Sequence, residues 1–268
     1  MGTPEAALGP LEASFARGGR ASLLPLAAGV LAWELGARLA GGMVPPASAV
    51  VLRLVTMLAG GPLRQALLIS IGSLAVGVVI GWLLGTVVGV LFARSPVVDG
   101  LFSVYFDALM SVPTAIYVPV LFSVFGVSRG SQIAIVASFT FFLVAATTTS
   151  ALRGVPPGLV DMARAFGASR RQQFFAVELP AAAPRMLTGL RAATMRAVKG
   201  MLIGEMIIAI RGIGGMLKTF GVRLDVAGIL ALVLAIVGVA LLADAVVVAL
   251  GRAVLPRLSR AGAAPPAP

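Results

Sequence analysis

The side chains of greatest chemical consequence in this sequence are a few charges stranded inside apolar stretches: Asp107, Arg196, Lys199, Glu205 and Asp244. A charge at the centre of a lipid bilayer costs about 2.5–3.5 kcal/mol on insertion scales, so each needs a partner or a water-filled cavity. Arg196 and Lys199 lie about one helical turn apart. They either offer positive potential to an anion or pair with Asp107, Asp244 or a backbone carbonyl. Asp107, Tyr105, Ser111, Thr114 and Tyr117 could place polar atoms along a pore, but helix geometry spreads 105, 111 and 114 around the axis, so only some face inward. Pro113 and Pro119 remove backbone donors from the same stretch and favour a kink. Other chemistries are closed off. With no Cys and no His, disulfides, thiolate or imidazole metal sites, Ser-His or Cys-His nucleophile pairs and the two-His zinc peptidase motif are all excluded. The Gly-x-Gly-Asp signature of intramembrane aspartyl proteases does not occur around Asp107 or Asp244, which leaves no basis for an enzyme.

Those charges must be held by elements that composition already restricts. Of 268 residues, 59% are hydrophobic and 12% charged, with mean hydropathy +1.04. Soluble domains carry roughly 25% charged residues, so this chain lacks a polar skin and its excess apolar surface must face lipid. A helix needs about 20 apolar residues to cross the hydrocarbon. The apolar stretches predict an all-α, polytopic protein with about six spans, at 22–40, 66–92, 101–126, 131–151, 187–210 and 227–250. In the second, Gly77, Gly81, Gly85 and Gly89 recur every four residues and form a face on which a neighbouring helix can pack closely. Arg17 and Arg20 precede the first span, and Glu34 and Arg38 interrupt it one turn apart. It reads as an uncleaved anchor with an intrahelical ion pair rather than a signal peptide. The transmembrane unit is expected over 22–258, with a cytoplasmic N-terminal tail at 1–21 and a C-terminal tail at 259–268, of which Met1–Gly19 and Gly262–Pro268, rich in Gly, Ala and Pro, read as poorly ordered.

The net charge of +11 would suggest nucleic acid in a soluble protein. In a membrane protein it follows from the excess of basic residues in cytoplasmic loops. With the N-terminus inside, the inner segments carry about twelve Lys and Arg against about seven outside. Both termini are then cytoplasmic and no nucleic-acid partner is needed. The excess concentrates between the fourth and fifth spans, in the loop 153–185.

That loop opens on Val155-Pro156-Pro157-Gly158, continues as a helix-compatible stretch from Leu159 to about Phe175, and closes on Glu178-Leu179-Pro180 before Pro184 begins the next segment. Leu159, Met162, Ala163 and Phe166 share one apolar face, while Asp161, Arg164, Arg170 and Arg171 are solvated or face another partner. Small residues at Ala163, Ala165, Gly167 and Ala168 would let such a helix fit closely into a groove, and Gly167 allows a sharp turn part-way. On physical grounds alone, an amphipathic helix resting on the inner lipid surface is an equal alternative.

The run Asp161-Met162-Ala163-Arg164-Ala165-Phe166-Gly167-Ala168-Ser169, followed by Leu179-Pro180, resembles the EAA loop of bacterial ABC importer permeases. Asp161 replaces the usual Glu and Met162 the first Ala. Val44-Pro45-Pro46 with the short helix after it, Val112-Pro113 with Ala115 and Pro119, Gly189-Leu190-Arg191, Gly204-Glu205-Met206 and Gly212-Ile213-Gly214 resemble the nitrate, sulfonate and taurine branch. The resemblance covers about residues 22–258. It implies the type I ABC importer permease fold in the bacterial inner membrane and a dimer of permeases. It also implies two cytoplasmic ATPase subunits, where ATP and Mg²⁺ would act, and an external substrate-binding protein. The sequence agrees in having no Gly-Lys-Ser/Thr loop of its own.

By the same resemblance, Leu159, Asp161, Met162, Ala163, Arg164, Ala165, Phe166, Gly167, Leu179 and Pro180 would dock the ATPase. The fifth span would line the pathway, with Arg196 and Lys199 facing an anionic solute and Glu205 serving either a gate at its mouth or helix packing. Asp107, Pro113 and Tyr117 complete the candidate pathway, and Asp244 is expected in a structural ion pair. A secondary transporter is the competing expectation, although no repeat relates 22–126 to 131–250.

Overall fold

The computed structural model describes residues 23–41, 44–113, 116–208 and 212–262. The expected N-terminal tail 1–21, residues 263–268 of the expected C-terminal tail, Thr114 and Ala115 lie outside the described residues. Among the described residues all regular structure is helical. In chain order the helices are α1 Leu23–Leu39, α2 Ala47–Ala59, α3 Pro62–Arg94, α4 Pro96–Ser111, α5 Tyr117–Phe125 and α6 Arg129–Arg153. They continue as α7 Pro157–Ala165, the short α8 Arg170–Gln172, a π-helical turn Gln173–Glu178, α9 Leu179–Ile208, α10 Gly212–Val222 and α11 Val226–Gly262.

Local chemistry accounts for the ends of these helices. Pro62 opens α3, where a missing N–H costs nothing. The helix stops at Ser95-Pro96, because Ser95 caps α4 by accepting from the Val98 N–H at 3.3 Å. A reciprocal capping box between Ser128 and Ser131 opens α6.

The centre of the bundle is α6, with α3 on one side and α9 on another. The four glycines of α3 meet α6 in constant register: Gly77 on Val136, Gly81 on Thr140, Gly85 on Val144 and Gly89 on Thr148. Each meets a β-branched residue, and a Cβ at any of the four would lie under 3.0 Å from α6 atoms. All four α6 partners are at most 2% exposed. A glycine groove thus receives a β-branched ridge, and the two helices run parallel at backbone-contact distance. On the other side α9 runs antiparallel, with Gly189 on Thr147, Gly200 on Phe139 and Gly204 on Ile135. Helix α11 packs on α9 and α2, and the bidentate pair Arg191–Asp244 at 2.7–2.8 Å ties α9 to α11.

Among the described residues three helices are long and apolar enough to cross a membrane, α3, α6 and α11, and a fourth span results if α9 and α10, bent by 56°, are taken together. The expected count of about six is not reached on this measure. Helix α1 has 17 described residues, about 26 Å at 1.5 Å per residue. It carries the expected pair Glu34–Arg38 at 2.6 Å. The expected third span, 101–126, is divided into α4 and α5. Pro113 lies in the break, which Tyr117 braces by donating its hydroxyl to the Leu109 carbonyl at 2.7 Å. Pro180 and Pro184 do not begin a new segment, because both lie inside helix that runs unbroken from Arg170 to Ile208. The π turn before Pro180 widens the backbone, and the Leu179 N–H reaches the Phe174 carbonyl five residues back. A wider turn eases the clash a proline ring makes with the preceding turn of an α-helix.

Candidate functional site

Three groupings of the candidate residues emerge. The first is an exposed hook at the end of the bundle where α3 and α6 finish. Helix α7 opens on Pro157 and ends at Ala165, ten residues short of the expected Phe175. Its end is a Schellman turn, in which the Gly167 N–H donates to Arg164 O at 2.9 Å and the Ala168 N–H to Ala163 O at 3.0 Å. Gly167 has φ +79°, and nothing lies within 4 Å of where its Cβ would be. Glycine is needed here for its backbone conformation. Ser169 then caps the next turn reciprocally with Gln172, while Gln173, nearly buried, donates to Ala168 O at 2.7 Å.

Along this hook Leu159, Met162 and Phe166 are exposed, Phe166 by 86%. Asp161 and Arg164 form a solvated pair at 3.4 Å. Ala163, Leu179 and Pro180 are half-buried and Ala165 is exposed. Charged contacts fasten the hook to the bundle. Arg94 pairs with Glu178 at 2.9 Å and lies 4.7 Å above the Phe174 ring. Arg185 donates to Gly154 O at 3.3 Å. Arg153 bridges Asp99 at 2.7 Å and Phe92 O at 2.9 Å.

The second grouping is a cleft of about 110 Å³ at the middle of α6, lined by Leu109, Ser138, Phe139, Phe142, Arg196 and Lys199 among others. Arg196 and Lys199 are exposed on it, and neither forms an ion pair among the described residues. Asp244, one of their expected partners, is taken by Arg191. Asp107 is exposed on α4 and its carboxylate likewise has no partner among the described residues. Tyr117 reaches the cleft wall indirectly, stacking on Phe142 with ring centroids 6.1 Å apart.

The third grouping surrounds Glu205 at the opposite end of the bundle. Glu205 is 1% exposed and does not line the cleft. Its carboxylate accepts from Ser70 Oγ at 2.6 Å, from Gln132 Nε2, and from the Gly214 N–H at 2.8 Å. The Ile213 N–H donates to Ser70 Oγ at 3.1 Å, and Ser73 Oγ donates to Gln132 Oε1 at 3.1 Å. A Cβ at Gly212 or Gly214 would collide with Glu205, so the Gly212-Ile213-Gly214 run is what admits the carboxylate. Ser70, Ser73 and Gln132 are absent from the candidate residues read in the sequence. The available signal was Ser73, which continues the glycine spacing of α3 one step further.

Comparison with known proteins follows the same outline. Residues 77–260 match the family described as binding-protein-dependent transport system inner membrane component. The chain is 30% identical over 185 residues to the taurine transport system permease protein TauC of Escherichia coli K12, covering 66% of each. It is 27% identical over 203 residues to the glycine betaine/proline betaine transport system permease protein ProW of the same organism, covering 69% of this chain and 56% of that one. It spans about half to two thirds of the length of these curated relatives. Among solved structures, an inward-facing MetNI methionine ABC transporter chain superposes with TM-score 0.63 at 20% identity, over 72% of this chain and 95% of that one. That likeness establishes a shared fold.

Proposed function

The chain belongs to the family of binding-protein-dependent transport system inner membrane components, and from that premise we propose that it is the permease subunit of an ATP-driven importer for a small anionic solute. Helix α7 is the part a motor would grip. The observation that carries this reading is the combination of exposed Leu159, Met162 and Phe166 with a backbone locked by the Schellman turn at Gly167. An apolar surface this exposed favours a protein groove as its cover. The rigid turn and the Arg94–Glu178 and Arg185–Gly154 contacts would carry a pull on α7 into α3, α6 and α9. Two ATPase subunits would supply the pull by hydrolysing Mg-ATP, a second permease copy would complete the pathway, and an external binding protein would deliver the solute. Both termini are then cytoplasmic, on the same side as α7.

The cleft at mid-bundle supports an anionic solute. Two cations without ion-pair partners among the described residues, at bilayer depth, are favourable only against water, an anion or an acid elsewhere. Asp107, Pro113 and Tyr117 would shape the neighbouring wall, where α4 and α5 meet. TauC, as a taurine permease by name, is consistent with a sulfonate as the anion. The decisive experiment is reconstitution of the chain with its ATPase and binding protein in vesicles. ATP-dependent uptake of an organic sulfonate supports the reading. ATP-independent uptake by the isolated chain would replace it with a secondary transporter.

A further inference from the structure

Glu205 is the most deeply buried charge of the described residues, and the cleft chemistry above does not use it. Its carboxyl group receives three donors, one each from α3, α6 and α10. No cation is among these partners. The positive end that faces it is the N-terminus of α10, whose orphan N–H groups carry partial positive charge. Ile213 and Gly214 supply two of those N–H groups, one through Ser70 and one directly. Helix α10 in turn forms one wall of an open cleft of about 670 Å³ at this end of the bundle, through Gly215, Met216, Thr219 and Phe220, with Arg53 and Gln65 on the facing wall.

We infer that Glu205 is a positioning residue: it supplies, from α9, the N-terminal cap of α10, and so sets the width of the cleft that α10 forms with α2 and α3, which under the importer reading is the outer entrance for solute. The inference about α10 stands on the geometry alone, whereas its consequence for transport rests on the importer reading. Glutamine is nearly isosteric with glutamate but has one oxygen in place of two: its NH₂ group faces either the Gly214 N–H or the Ser70 and Gln132 donors together, so Glu205→Gln weakens the cap without emptying the site.

The absence of native cysteine makes the test direct. A single cysteine at Met216 is labelled with a membrane-impermeant maleimide, in an otherwise unaltered chain and in Glu205→Gln. Labelling at least tenfold faster in Glu205→Gln, with ATPase subunits still co-purifying and ATP-dependent uptake reduced at least tenfold, is the expected result. Ser70→Ala keeps Glu205 and its direct contact with the Gly214 N–H but removes one of the three donors and with it the bridge to Ile213, and it should accelerate labelling by a smaller factor of about three. Equal labelling rates in all three chains would overturn the inference. If Glu205→Gln fails to assemble, the Ser70→Ala comparison decides alone. A wild-type chain without ATP-dependent uptake would reject the importer reading, and the labelling rates would still decide the role of Glu205.

Discussion

Ser73 donates its hydroxyl to Gln132 at 3.1 Å, one four-residue step beyond the contact of Gly77 with Val136. The register imposed by the glycine stripe of α3 is therefore also the register that brings Ser73 beside Gln132, which in turn donates to Glu205. Packing along the apolar length of the helix pair positions a polar network at its end.

Filling that groove should force α3 and α6 apart. At Gly85 a Cβ would lie 2.7 Å from the Phe141 carbonyl oxygen and 2.9 Å from Val144 Cβ. Gly85→Ala should destabilise the detergent-purified protein by about 1–3 kcal/mol, the usual cost of overpacking. Gly238, with nothing within 4 Å of its Cβ position, provides the comparison. Gly238→Ala should be neutral or stabilising by up to ~1 kcal/mol, as alanine favours a helix. Thermal unfolding of the two variants side by side checks both.

At Gly167 backbone strain, not volume, should set the outcome. Gly167→Ala forces a residue with a Cβ to φ +79°, at about 1–2 kcal/mol. Asparagine tolerates this region better. Co-purification with the ATPase subunits should fall in the order Gly, Asn, Ala, even though asparagine is larger than alanine. Equal loss in both variants would show instead that the partner's groove excludes any side chain there.

Neutralising the mid-bundle cations separates pathway from scaffold. Arg196→Gln and Lys199→Gln should each reduce uptake of an organic sulfonate roughly tenfold or more, the worth of about 1.5–3 kcal/mol for a hydrogen bond to a charged group, with assembly intact. Asp107→Asn, which leaves both cations in place, should not reproduce that loss. Unchanged uptake in both cation variants would dispose of the anion reading.

The Arg53–Asp225 pair, 2.9 Å apart, ties α2 to the turn before α11 and gives that junction a pH dependence. The Gly228 N–H, with Arg53 beside it, holds the Asp225 carboxyl below its ordinary value of 3.8. A carboxylate depressed in the folded state stabilises fully above the unfolded value, and that contribution disappears as pH falls through the folded one. The melting temperature of the wild type should thus exceed that of Asp225→Asn at pH 7, and the gap should close below pH ~4. Exposed pairs are worth only ~0.2–1 kcal/mol, so the gap should be small and shrink in high salt.

The sequence by itself determined that this chain is helical and lies in a membrane, since apolar length and charge scarcity act without reference to any neighbour. It also determined where packing faces and turns fall. The four-residue glycine spacing, Pro62, Pro96 and Gly167 all act within a few residues of themselves. Tertiary structure alone decided which charges meet. Asp244 was equally available to Arg191, Arg196 and Lys199, and only the antiparallel packing of α9 on α11 gave it to Arg191. Ser70, Gln132 and Glu205 are separated by 73 and 135 positions. Their meeting depends on the register of three helices and on the bend before α10, which no local pattern encodes. The same holds for Pro180, which reads as a helix breaker until a π turn, formed under the Arg94 clamp, relieves its clash and lets the helix continue.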